Sequence, residues 1–323
     1  MIDVKILFTF DIKDKYFKSL KESFEGIEIV KSEDIDVLQE EIKDTDILAA
    51  MLMRKFDSDL IEMGNNLKWI QSWSAGVDRF LKEDLFDYLK ENDITLTSVR
   101  GIHRDSMSEQ VLGYLISFSR RLPELLELQK KREWDRLKVD YLKDKTLAIF
   151  GLGAVGKEVA RKASVFKMNV IGIKRNPDVN IPHVNNIYGP EQKKEVLDKA
   201  DYVVVTLPLT DQTRGYFGSE EFAAMQESAY FINVARGEIV KEKELIEALQ
   251  NETIAGAALD VYQEEPLPKD SPLYELENVI LTPHTSGLFP HYNQEAVKIF
   301  KNNLRLFLED EDLVNVIDPD LQY

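Results

Sequence analysis

Short apolar runs rich in Val, Ile, Leu and Phe alternate along the chain with longer charged stretches in which apolar residues recur every three or four positions. The short runs suit strands buried on both faces, and the helical period between them supplies the helices that cover those faces. This pattern predicts an α/β protein with parallel sheets. In the first hundred residues the predicted strands are Lys5–Phe10, Ile27–Val30, Asp46–Ala50, Trp69–Ser74 and Ile94–Val99, with helices such as Lys15–Phe24 between them. One long helix is predicted from Ser106 to Lys131. Met107, Val111, Leu112, Leu115 and Phe118 make it apolar round much of its circumference, as expected of a helix buried between domains. Strands resume at Thr146–Phe150, Asn169–Ile173, Tyr202–Thr206, Tyr230–Val234, Ile254–Leu259 and Val279–Thr282, and form the larger of two units. Asn176–Pro190, rich in Pro and Asn, reads as a loop connection. A final helix, Asn293–Leu308, returns the chain to the first unit, so two crossings with a cleft between the units are expected.

Composition narrows the function. The 323 residues suffice for about two domains with sizeable cores. Lys and Arg total 41 against 58 Asp and Glu, a formal net charge of −17 that disfavours nucleic acid and anionic membranes as partners. The absence of Cys removes thiolate nucleophiles, cysteine–zinc sites and disulfides. The four histidines, His103, His183, His284 and His291, follow no metal-ligand spacing, and no metal site is expected. The opening Met1-Ile2-Asp3-Val4-Lys5 has an early acid, and the apolar run ends at Phe10, too short for a signal sequence or membrane span. A soluble cytoplasmic protein is the expectation.

Chemistry enters at Gly151-Leu152-Gly153-Ala154-Val155-Gly156, a G-x-G-x-x-G string placed directly after the apolar run Leu147–Phe150 and before Val159, Ala163 and Phe166 at helical spacing. Glycines at a strand-to-helix turn let the backbone approach a pyrophosphate at the positive end of the helix, so this turn predicts dinucleotide binding. The next strand normally ends in an acid that reads the ribose 2′-hydroxyl. Here it ends in Lys174-Arg175, with Asp178 the first acid beyond. Two cations suit a 2′-phosphate, which favours NADP(H), with NAD(H) the alternative and a merely solvated pair the structural one.

Ligands of open α/β sheets lie beyond the carboxyl ends of the strands. Three successive predicted strands deliver Arg236, Asp260 and His284 there. Singly these could be an ion-pair partner, a turn cap and a satisfied histidine. Together, on the edge that carries the glycine turn, they predict a site.

The same residues belong to longer strings: Asn233-Val234-Ala235-Arg236-Gly237, Ala257-Ala258-Leu259-Asp260-Val261-Tyr262, Glu265-Pro266-Leu267-Pro268, Ser271-Pro272-Leu273 and Thr282-Pro283-His284-Thr285-Ser286-Gly287. With the glycine turn they resemble the D-isomer-specific 2-hydroxyacid dehydrogenase family, which includes glyoxylate/hydroxypyruvate reductases and phosphoglycerate dehydrogenases. The resemblance implies a Rossmann-type doubly wound domain over residues 101–287 that binds NAD(P). It implies a smaller, flavodoxin-like substrate-binding domain from residues 1–100 and 288–323, and a homodimer. It assigns Arg236 to the substrate carboxylate and carbonyl, His284 to acid–base catalysis and Glu265 to pairing with that histidine. Ala75 and Gly76, within Ser74-Ala75-Gly76-Val77-Asp78, match the loop whose amides receive the substrate carboxylate. Besides Gly151, Gly153, Ala154, Val155, Gly156, Lys174 and Arg175, the residues implied to line the cofactor are Leu207, Pro208, Thr213, Ala235, Asp260 and Ser286. Two departures stand out. Glu109-Gln110 replaces the frequent Glu-His, and Lys174 replaces the ribose-reading acid.

The implied reaction is hydride transfer between NAD(P)H and a small anionic 2-oxoacid. The imidazole of His284 supplies the proton that the forming alkoxide takes up, a carboxylate beside it favours its charged form, and Arg236 offers a planar two-donor grip. Domain closure would exclude water. Side-chain selectivity is expected near Met51–Lys55, Trp73 and Phe289–Tyr292, where ordinary packing is the competing account. An NADH-linked enzyme like phosphoglycerate dehydrogenase stays open, although a regulatory domain of the kind many of those carry has no room in this length. So does a dinucleotide-sensing binding protein of the same fold. Formate dehydrogenases, which carry Gln where this chain has Glu265, fit less well.

Overall fold

A computed structural model describes residues 4–51, 57–77, 85–318 and 320–321. The chain divides into two compact units, Met1–Ile102 with Phe289–Tyr323, and His103–Leu288.

The first unit is built on five parallel strands in the order β2-β1-β3-β4-β5: β1 (Lys5–Phe8), β2 (Glu28–Lys31), β3 (Ile47–Ala50), β4 (Trp69–Ser72) and β5 (Thr95–Ser98). Helices α1 (Asp14–Ser23), α2 (Ile35–Glu41), α3 (Asp57–Glu62) and α4 (Leu85–Glu91) make the connections. Alternate residues of β1 feed two cores, Leu7 one and Ile6 with Phe8 the other, as the period-2 geometry of a doubly covered strand requires. The edge of β5 is protected by the chain's end, where Val316 bridges Thr97 and the Ile317 N–H bonds the Leu96 carbonyl.

The second unit opens with two helices, α5 (Arg104–Ser119) and α6 (Leu122–Lys131), where the hydrophobic pattern predicts one. The break has a covalent cause. Pro123 lacks the N–H that a continuous helix would bond to Ser119, and its ring would clash with that carbonyl. Arg121 turns the chain at φ +53° instead. Val111, Tyr114, Leu115 and Phe118 of α5 are buried, whereas α6 buries no residue and the chain beyond it stays open to solvent, with Trp134 94% exposed.

Seven parallel strands follow: β6 (Thr146–Phe150), β7 (Asn169–Ile173), β8 (Asn186–Tyr188), β9 (Tyr202–Val205), β10 (Tyr230–Asn233), β11 (Gly256–Leu259) and β12 (Val279–Leu281). They are joined by α7 (Ala154–Val165), α8 (Lys193–Lys199), α9 (Ser219–Ala223) and α10 (Glu242–Gln250). Their order, β12-β11-β10-β9-β6-β7-β8, places a reversal of winding between β6 and β9, the doubly wound pattern. The strand β8 lies inside the stretch expected to be loop. Three residues with one side chain exposed carry too little hydrophobic signal to announce a strand. Register aligns Ile173, Phe150, Val205, Asn233, Leu259 and Leu281 across the sheet, so the residues just past them share one edge.

Helix α11 (Tyr292–Leu308) belongs to the first unit. Ala296, Val297, Phe300 and Leu304 are its buried stripe, and the Phe300 ring stacks on Trp69 at 5.4 Å between centroids. Among the described residues no helix is long and apolar enough to cross a membrane.

Candidate active site

The glycine turn joins β6 to α7. Gly151 stands at φ +105°, and a Cβ there would meet the backbone of Thr206 at 2.8 Å. At Gly156 a Cβ would lie 2.0 Å from the Gly151 carbonyl oxygen, which the Thr206 hydroxyl clasps at 2.6 Å. These two glycines let the turn close on itself. Gly153 differs, because a Cβ there would point into open space. It caps α7 without a side chain, next to exposed Ala154 and half-buried Val155, so the amides of the first helical turn face outward where an anion would be received.

Lys174 follows β7 directly, held by its own N–H to the Tyr188 carbonyl of β8. It is half-buried and makes no ion pair among the described residues, while the Arg175 guanidinium donates to Gln212 Oε1 at 3.3 Å. Across the sheet, the loop after β9 is pinned from within. Thr213 donates its hydroxyl to the Pro208 carbonyl and accepts the Thr210 N–H, which fixes half-buried Leu207 and Pro208 beside the glycine turn.

At the other end of the same edge, Ala235 and Arg236 follow β10. The Ala235 N–H bonds Asn233 Oδ1, the Arg236 carbonyl accepts from Asn233 Nδ2, and Arg236 Nη1 donates to the Ala235 carbonyl. Asp260, fully buried after β11, accepts the Thr282 hydroxyl at 2.5 Å and the N–H groups of Thr285 and Ser286, both at 2.9 Å. Its carbonyl also accepts the His284 N–H. Asp260, whose position the sequence associates with the cofactor, thus holds the turn 282–286 together. On that turn His284 stands at φ +51°, with Nδ1 at 2.7 Å from Glu265 Oε2. The second oxygen of Glu265 accepts the Tyr262 N–H, which orients the carboxylate toward the ring. An ionised carboxylate can only accept, so Nδ1 carries the hydrogen of this contact and Nε2 is left to face outward chemistry.

Sequence reasoning missed His103 and Tyr114. His103 precedes α5 and its Nδ1 lies 2.8 Å from the Gly287 carbonyl. Arg236 and His284 are both close enough for their charges to act on it, and burial first, then those charges, hold its pKa below the ordinary histidine value. Arg236, His284 and His103 therefore share one neighbourhood. Tyr114 bonds the Thr282 hydroxyl at 2.5 Å, and since Thr282 gives its hydrogen to Asp260, Tyr114 must be the donor. Gln110, one of the two departures, reaches the same tyrosine hydroxyl, and Glu109 pairs with Lys162 at 3.4 Å. The signal available beforehand was the i, i+4 spacing of Gln110 and Tyr114 on one face of α5.

In the first unit Ala75 and Gly76 are half-buried just past β4, in a turn where Ser72 Oγ and Ser74 exchange hydrogen bonds and Tyr292 donates to the Trp73 carbonyl. Asp78 of that loop, and Leu52–Lys55 of the expected selectivity region, lie outside the described residues. No cluster of potential metal ligands occurs among the described residues.

Residues 112–286 match the family model described as D-isomer specific 2-hydroxyacid dehydrogenase, NAD binding domain. Over 317 residues the chain is 33% identical to D-3-phosphoglycerate dehydrogenase of Methanocaldococcus jannaschii, covering 98% of this chain and 59% of that longer enzyme. It is 35% identical over 277 residues to glyoxylate/hydroxypyruvate reductase B of Yersinia pestis, covering 82% of each. Among solved structures, the NADPH-dependent glyoxylate/hydroxypyruvate reductase of Sinorhizobium meliloti, in complex with NADP and sulfate, superposes with a TM-score of 0.85 at 27% identity, over 99% of this chain and 100% of that one. A likeness that runs from α5 to the His284 turn in the family model, and over nearly the whole chain in the others, amounts to membership: this chain belongs to the D-isomer specific 2-hydroxyacid dehydrogenase family.

Proposed function

We propose that the chain is a reductase that converts a small 2-oxoacid such as glyoxylate or hydroxypyruvate into the D-2-hydroxyacid, with NADPH preferred over NADH. The observation that carries this reading is the Glu265–His284 pair, 2.7 Å apart, in one neighbourhood with Arg236 at the sheet edge that bears the glycine turn. The names of the Yersinia and Sinorhizobium relatives support the substrate class, and the bound NADP of the latter supports the cofactor.

When bound, NADPH supplies a hydride to the substrate carbonyl. The chain's part is to hold the substrate and to provide a proton. Arg236 binds the carboxylate through paired donors and polarises the carbonyl oxygen. His284 gives its Nε2 proton to that oxygen as charge builds on it, and in the reverse direction takes it back; Glu265 keeps the ring oriented through Nδ1. Gly151, Gly153, Ala154, Val155 and Gly156 would cradle the pyrophosphate. Leu207, Pro208, Thr213, Ala235 and Ser286 would line the remainder of the dinucleotide, and Lys174 with Arg175 would meet a 2′-phosphate. We assign the homodimer to the second unit, where exposed Leu122, Leu126, Trp134 and Tyr141 offer apolar surface that a second copy would cover.

The test is a panel of 2-oxoacids, 3-phosphohydroxypyruvate included, assayed with NADPH and NADH side by side, on the wild type and on His284→Gln. Reduction of glyoxylate or hydroxypyruvate is expected, with turnover of the variant down at least about 10²-fold, the lower range for a lost general acid, and NADPH affinity nearly unchanged. Turnover by the variant equal to wild type would remove the acid–base role; oxidation of neither cofactor with any oxoacid would remove the reductase.

A further inference from the structure

The turn that carries His284 is fastened at both ends by one helix. At its start the Thr282 hydroxyl receives a hydrogen bond from Tyr114 of α5, and at its end the Gly287 carbonyl meets Nδ1 of His103, the residue capping α5. Between these points Asp260 takes the N–H groups of Thr285 and Ser286 from beneath. His284 sits in the span at φ +51°, a left-handed conformation that a non-glycine residue keeps when its surroundings impose it.

We infer that His103 is a positioning residue for His284, acting through the Gly287 carbonyl, which it holds from the head of α5 so that the turn presents the His284 imidazole at one fixed place. This inference rests on the reductase reading above. A carbonyl oxygen only accepts, so the hydrogen of the 2.8 Å contact belongs to His103 Nδ1. Burial and the nearby charges of Arg236 and His284 outweigh the opposing effect of the Gly287 bond and hold the ring's pKa below the ordinary histidine value, which disfavours its charged form. A lysine or arginine at 103 could make the same bond only by adding another positive charge beside Arg236 and His284. Residue 287 is matched to this arrangement, because a Cβ there would stand 3.2 Å from His103 Nδ1, tighter than ordinary contact, and the ring would have to give by a few tenths of an ångström.

Three single variants of the whole chain separate the bond from the ring. His103→Asn places an amide N–H where Nδ1 stands, His103→Leu removes the donor, and Gly287→Ala crowds the ring by a few tenths of an ångström while leaving His103 intact. Displacement of a reacting group by about 1 Å costs on the order of 10²-fold. His103→Leu is therefore expected to lower kcat by about ten- to a hundredfold, with the NADPH Kd, from fluorescence titration, changed less than about threefold. His103→Asn should recover to within about threefold of wild type, Gly287→Ala should fall between wild type and His103→Leu, and the double variant His103→Leu with Gly287→Ala should cost no more than His103→Leu alone. Thermal melts of each variant check that all are folded. The inference is overturned if His103→Leu turns over like wild type, if His103→Asn is as slow as His103→Leu, or if the two losses multiply. Should the wild type reduce no oxoacid, the reductase reading fails by itself. The positioning is then read from the His284 ring resonances in NMR, which must move in His103→Leu and Gly287→Ala and stay in place in His103→Asn, and any other pattern overturns it.

Discussion

Asp260 is the residue at which sequence and structure suggest different work, and Asp260→Asn tells them apart. The carboxylate is fully buried and spends one oxygen on the Thr282 hydroxyl and the Thr285 N–H, the other on the Ser286 N–H. An asparagine has one oxygen. Placed where Oδ1 stands, it keeps two of the three bonds and turns its NH2 group against the Ser286 N–H; the opposite flip loses two. Losing a hydrogen bond to a charged acceptor costs about 1.5–3 kcal/mol, and leaving a buried donor unsatisfied costs about 1–3 kcal/mol. Relief of a buried charge offsets part of this, so a net loss of about 3 kcal/mol is expected. With a urea slope of about 2–3 kcal/mol/M, the unfolding midpoint of the cofactor-free protein should fall by about 1 M or more. Equilibrium unfolding in urea followed by circular dichroism measures it. Turnover should fall with it, because the His284 turn loses a fastening. If the cofactor-free variant unfolds at the wild-type midpoint while its NADPH Kd rises, Asp260 acts on the cofactor and the account of the turn is wrong.

Cofactor choice and assembly can be tested in the same way. Lys174→Asp should move the ratio of kcat/KM for NADPH over NADH by at least about ten- to a hundredfold toward NADH, the equivalent of one charge-assisted bond of roughly 1.5–3 kcal/mol; an unchanged ratio refutes the 2′-phosphate contact. Trp134→Glu should weaken self-association by tenfold or more in sedimentation equilibrium, since a buried tryptophan contributes ~150–250 Å² of contact. A wild type that is monomeric at micromolar concentration, or a variant that dimerises as tightly, refutes the assignment of that surface.

Strand positions were legible because each run is apolar on both faces. Thr146–Phe150 and Asn169–Ile173 are strands to the residue, and the rest differ by one or two at their ends, most of them shorter than expected and β2 shifted one residue along, to Lys31. The failures have local causes. Pro123 divides a segment whose side-chain pattern is continuous, and β8 forms because β7 offers its edge, not because Asn186-Ile187-Tyr188 is strongly apolar. Of the site, the glycines, Arg236 and His284 follow from residue types at strand ends, whereas Glu265 lies well past β11 and its pairing with His284 came from the family resemblance alone. His103 and Tyr114 do not, since they meet the His284 turn across a sequence separation that no spacing rule spans. Asp260 was visible as a charged residue past a strand, but only the three donors around it reveal that its carboxylate is absorbed by its own scaffold.

The strand order has a consequence for how such an enzyme can change. Lys174 leaves β7 and His284 follows β12, five strand spacings apart in the sheet, which at about 4.8 Å each is on the order of 24 Å. Substitutions so far apart contribute independently to within a few tenths of a kcal/mol. The residue proposed to choose the reductant can therefore be exchanged without retuning the residue proposed to donate the proton, and a lineage or a designer can redirect this scaffold from one nicotinamide pool to the other while its proposed chemistry stays intact.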